Sequence, residues 1–105
     1  LHTAIYRARP DAGAVIHTHS VRASAFAVAG QPIPPILDEQ VLILGGAVEV
    51  AEYGSSASAD LADKAVFALG DRAAVLLRHH GVAGVGETVE EAIANGSGRR
   101  EWIIR

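Results

Sequence analysis

The 105-residue sequence contains no cysteine and no methionine. The missing cysteine excludes disulfides, thiol nucleophiles and thiolate metal ligands, and it accords with a cytoplasmic protein. No apolar run approaches the eighteen or so residues needed to read a membrane span, and no signal-peptide pattern is visible. Aromatic residues make up only 5% of the chain, and the net charge is −3 with basic residues scattered along it. Without a basic patch there is no electrostatic footprint for nucleic acid. What the chain has is apolar content, 50% of its residues, with a mean hydropathy of +0.23. Small domains bury a smaller share of their surface than large ones, so a chain this short and this apolar is expected to need more protein around it. The absent initiator Met and an opening LHTAIYRARP that reads as a helix tail, with Leu1, Ala4 and Ile5 on one face, support the expectation of an N-terminally truncated single domain spanning 1–105.

Arg9 to Gly13 forms a predicted turn, since proline ends a helix and glycine relaxes the backbone. Ala14–Thr18 is a short apolar strand. Ser20 is a candidate cap for a helix from about Val21 to Ala29, with Gly30 at its C′ position. The QPIPP stretch at 31–35 is incompatible with regular structure, because proline fixes φ and lacks a donor. Val41–Leu44 is a second apolar run, and Ala47–Tyr53 alternates as a strand with one wet face. A serine of the 54–58 loop caps a helix over 59–69. Ala73–Leu77 and Val82–Val85 read as strands, and Thr88-Val89-Glu90-Glu91 has the form of a capping box that starts the last helix. The interleaving of strands and helices predicts an α/β layered domain. Residues 96–105 are an atypical tail: Gly96 and Gly98 would each cost a helix about 1 kcal/mol.

Four of the five histidines fall in two tight groups, His17-Thr18-His19 and His79-His80. Residues i and i+2 of a strand point to the same face, so His17 and His19 project together near the end of a strand. A catalytic zinc site commonly has three protein ligands and one open position. His80 is the best third candidate: it follows another apolar strand, and Gly81 beside it permits close backbone approach. Ligands in layered α/β sheets collect at strand ends. The competing reading is two polar strand ends that happen to carry histidine. His2, in the first helix, is read as solvated or as a neighbour of a site rather than a ligand. Glu39, Glu49 and Glu52 have no motif behind them and are read as solvated, with Glu39, near the Pro34-Pro35 loop, the one to check.

The stretches RPDAGAVIHTHSVRASAFAVAG, PIPPILDEQVLILGG, VAEYGSSASADL and AVLLRHHGVAGVGETVEEA resemble the class II aldolase/adducin family, most of all its L-fuculose-phosphate aldolase branch. The match covers about residues 1 to 95, and the H-x-H-S and L-L-x-x-H-G elements in this order are its specific part. The resemblance implies a three-layer αβα fold around a mostly antiparallel central sheet. It implies zinc, or another divalent metal, held by His17, His19 and His80, with His79 a neighbour and not a ligand. It also implies cleavage of a sugar phosphate to dihydroxyacetone phosphate and an aldehyde, and assembly as a homotetramer. The family's proton-transferring Glu would lie just upstream of Leu1. Tyr53 falls near the position of a family tyrosine that orients and protonates the aldehyde oxygen, although Glu52 replaces the expected proline; a strand-end tyrosine with its hydroxyl in water is the plainer reading.

Three other functions compete. A pentulose-phosphate 4-epimerase or a methylthioribulose-phosphate dehydratase of the same superfamily would use the same histidines. A non-catalytic adducin-like module would be marked by their loss, and all three are present.

Overall fold

The structure, a computed structural model, describes residues 1–19, 21–34, 44–55 and 58–96. Its elements run α1 (His2–Ala8), β1 (Ala14–Thr18), α2 (Val21–Ala29), β2 (Val50–Ala51), α3 (Ala59–Leu69), β3 (Ala74–Leu77), β4 (Gly81–Gly86) and α4 (Val89–Gly96). The strands form one sheet in the order β1-β4-β3-β2. β4 is antiparallel to both β1 and β3, whereas β2 runs parallel to β3. The sheet is therefore mixed: antiparallel in two of its three pairings, as expected for most of it, with a parallel edge.

Strand alternation divides the core in two. Val75 and Leu77 of β3, with Ala83 and Val85 of β4 and Val15 of β1, pack against Ile5 of α1 and Leu61, Ala65 and Leu69 of α3. Ala74, Leu76 and Val82 face the other way, onto Ala27 of α2, Ile33, Leu44 and Val48. β3 is buried along its whole length, as a strand covered on both faces must be. α4 lies on the second face at backbone contact: a Cβ on Gly84 would strike the main chain of Gly96, and one on Gly96 would come within 2.6 Å of the Gly84 nitrogen. Two layers of helix thus enclose the sheet.

The helix ends follow local chemistry. The Ser58 hydroxyl accepts from the Leu61 amide at 3.0 Å, and that of Thr88 accepts from Glu91 at 3.1 Å. Gly30, with φ 67°, follows α2. The strand expected over Ala47–Tyr53 is shorter than its pattern, only Val50–Ala51. Val48 instead pairs with Ile33, and Tyr53 leaves the sheet, its carbonyl accepting from Lys64 Nζ at 2.8 Å. The expected cap Ser20, most of the Val41–Leu44 run, Glu39 and residues 97–105 lie outside the described residues. Among the described residues, no helix is long and apolar enough to cross a membrane.

Candidate metal centre

β1 and β3 both end, and β4 begins, at the same end of the sheet, with Thr18 opposite Val82 and Leu77 opposite Gly81. The two histidine groups are therefore neighbours despite the intervening chain of residues 20–78. His17 lies on the β1 face that carries Val15, opposite Ala83. Thr18 points the other way, where its hydroxyl donates to the carbonyl of Gly96 at the end of α4. His19 follows the strand directly and remains on the His17 side. His80 ends the β3–β4 turn, which its own amide closes by donating to the Leu77 carbonyl at 2.9 Å.

The three imidazoles meet through the same atom. Nε2 of His17 lies 3.1 Å from Nε2 of His80 and 3.2 Å from Nε2 of His19. His17 Nδ1 is 3.0 Å from the Val82 carbonyl. A carbonyl only accepts, so Nδ1 carries the proton and Nε2 of the neutral ring presents its lone pair. Tetrahedral coordination with metal–nitrogen bonds of about 2.0–2.1 Å separates ligand nitrogens by about 3.3–3.4 Å, close to the distances found. Candidate ligand atoms of the three residues all lie within 4.8 Å of one another. The donor set fits a divalent ion: three imidazoles, one with its tautomer fixed by a backbone carbonyl, as metal-bound histidines commonly are.

Burial holds the His17 pKa below its usual value of 6.5, as do the nearby charges of His80, His19 and His2, against the opposing hydrogen bond to Val82. The ring thus favours the neutral, ligating form. His79 does not join the cluster. Its backbone is left-handed, with φ 57°, and its ring stands edge-on to Tyr53 with centroids 6.2 Å apart. Tyr53 is 55% exposed and touches the cluster's neighbour rather than the cluster. Glu49 and Glu52 line a shallow cavity with Asp63, Lys64 and Phe67 that contains no histidine. The sequence reasoning missed the carbonyl of Val82. A main-chain acceptor leaves no mark in residue type, and only the β1–β4 register reveals it.

The family model for the class II aldolase and adducin N-terminal domain matches residues 1–97. An L-fuculose phosphate aldolase of Escherichia coli O6:H1 is 35% identical over 92 residues, covering 88% of this chain and 43% of that protein. A 3,4-dihydroxyphthalate decarboxylase of Arthrobacter keyseri is 38% identical over 98 residues, covering 89% of this chain and 40% of that protein. A solved L-fuculose 1-phosphate aldolase superposes with a TM-score of 0.88 at 29% identity, over 98% of this chain and 48% of that one. The chain thus spans less than half the length of these relatives.

Proposed function

The chain belongs to the class II aldolase and adducin family, and from that premise we propose that it supplies the metal-binding part of a divalent-metal-dependent aldolase. The substrate class is a sugar phosphate such as L-fuculose 1-phosphate, and the products are dihydroxyacetone phosphate and an aldehyde. The carrying observation is the meeting of three Nε2 atoms at 3.1 and 3.2 Å. His17, His19 and His80 would hold the ion, with zinc the first choice, although three imidazoles also accept neighbouring transition metals. When bound, such an ion supplies Lewis acidity toward substrate carbonyl and hydroxyl oxygens. Val82 fixes the tautomer and plane of the His17 ring. Tyr53, at the same end of the sheet, is assigned the proton at the aldehyde oxygen. The only group of described residues able to gather three ligand atoms is histidine throughout, and no proton-transferring carboxylate is assigned among them. The same reading carries a cytoplasmic, homotetrameric enzyme.

The test is metal content and aldol cleavage of the whole protein, wild type beside His80→Ala. About one zinc per chain with release of dihydroxyacetone phosphate from L-fuculose 1-phosphate, both lost in the variant, supports the reading. Metal without cleavage of any phosphorylated ketose overturns the aldolase assignment. A second reading, a metal-dependent decarboxylase, is favoured by the 38% identity to the Arthrobacter keyseri protein. Release of carbon dioxide from an aromatic acid, in place of dihydroxyacetone phosphate, would decide for it.

A further inference from the structure

His80 reaches the cluster from a three-residue turn between paired residues Leu77 and Gly81. Two features of that turn are costly unless something depends on them. His79 takes φ 57°, at the third position of a turn where glycine or asparagine is usual and where side-chain-bearing residues are strained. Gly81 has no room for a side chain. A Cβ there would collide with the Thr18 carbonyl oxygen, stand 2.9 Å from His19 Cδ2 and lie 3.4 Å from His17 Cε1. The main-chain oxygen belongs to a paired strand and cannot swing aside. Gly81 therefore marks a close approach of the chain carrying His80 to the chain carrying His17 and His19.

We propose that His79 and Gly81 are positioning residues that set the metal affinity of the three-histidine cluster without contributing a ligand atom. The left-handed backbone at His79 turns the chain so that His80 faces β1. The bare Cα of Gly81 lets the two ligand-bearing segments close until their Nε2 atoms stand at coordination spacing. The inference rests on the metal reading above.

Cobalt(II) titration of the full protein, followed by its visible absorption, tests it in Gly81→Ala, His79→Gly and His79→Val, with circular dichroism as the check on folding. Gly81→Ala should keep the wild-type dichroism and bind cobalt about 10–100-fold more weakly, the range seen when supporting residues of metal sites are lost, with an altered ligand-field spectrum. His79→Gly, which accepts a positive φ freely, should match wild type. His79→Val, which does not, should weaken binding. Wild-type affinity and spectrum in folded Gly81→Ala, or equal binding by His79→Gly and His79→Val, would overturn the proposal. Should Gly81→Ala fail to fold, the His79 pair decides alone. A wild type that takes up no cobalt sinks the metal reading and this inference together; a wild type that binds, with variants that bind equally, sinks only the inference.

Discussion

The two ends of the sheet treat their polar groups in opposite ways. At the end where β1 and β3 begin, the guanidinium groups of Arg9 and Arg72 have protein acceptors in reach. Arg9 pairs with Asp11 at 2.8 Å and donates to the carbonyls of Gly70 and Arg72. Arg72 donates to the carbonyl of Ala47 at 2.7 Å. At the end where those strands finish, three Nε2 atoms point at one another. Neutral His17 already donates its single N–H to Val82, so its Nε2 can only accept. Acceptors crowded together repel unless a proton or a cation lies among them. At one end the side-chain donors are committed to holding the backbone, and at the other three ring nitrogens face one another, the arrangement on which the proposed metal site rests.

The sharpest way to break this contrast is to remove a group from each end. His80→Ala should weaken zinc binding by roughly a hundredfold or more, beyond the range for losing a supporting residue, as measured by competition with a chromogenic chelator. Arg9→Met should do the reverse. A hydrogen bond from a charged donor contributes about 1.5–3 kcal/mol; the bond to Arg72 is part-buried and the one to Gly70 exposed, so the first carries most of the effect and urea unfolding should show a loss of about 2–3 kcal/mol with zinc affinity unchanged. A fall in zinc affinity in Arg9→Met would show that the two ends are coupled and the contrast mistaken.

Acid should also separate the ends. The His17 pKa is held below 6.5 by burial and its neighbours, so the unfolded chain binds more protons than the folded one between the folded pKa and 6.5. That contribution to stability is complete above 6.5 and is lost as pH falls through the folded value. Protons and metal also compete for the same lone pairs. Zinc affinity should fall steadily from pH 7.5 to 5.5, whereas the Arg9–Asp11 pair, whose carboxyl is held below its usual range by Arg9, should stay intact. A zinc affinity independent of pH over that range would remove the histidines from the site.

The sequence carried the parts of this picture that depend on residue type at short spacing. The H-x-H repeat on a strand, the second histidine pair after an apolar run, the serine and threonine caps and the all-apolar β3 were legible because each rests on period or on one side chain's chemistry. What was not legible depends on pairing between distant segments. The alternation of Ala47–Tyr53 predicts a longer strand than Val50–Ala51, because Val48 finds its partner in Ile33 rather than in β3. The parallel placement of β2 on the sheet edge and the Val82 carbonyl behind His17 follow from register alone. The meeting of His80 with His17 was inferred from both lying at strand ends, but its distances required the β1–β4–β3 order.

The smallest effect probes whether structural polarity at the histidine end is separable from the ligands. The segment Tyr53–Ser55 follows β2 at that end, and Ser58 ties this loop to α3: its hydroxyl donates to the Ser55 carbonyl at 2.6 Å and accepts from the Leu61 amide. Ser58→Ala removes a helix cap, worth about 1 kcal/mol, so the midpoint of urea unfolding should drop accordingly. Neither hydrogen bond of the cap involves a histidine, and Tyr53 stands edge-on to His79 rather than to the cluster. Zinc affinity should therefore hold at the wild-type value in Ser58→Ala, while any aldolase activity that depends on Tyr53 should decline. If affinity fell with the cap, the loop would be part of the metal site's support, and His79, the residue between Tyr53 and His80, would be the path.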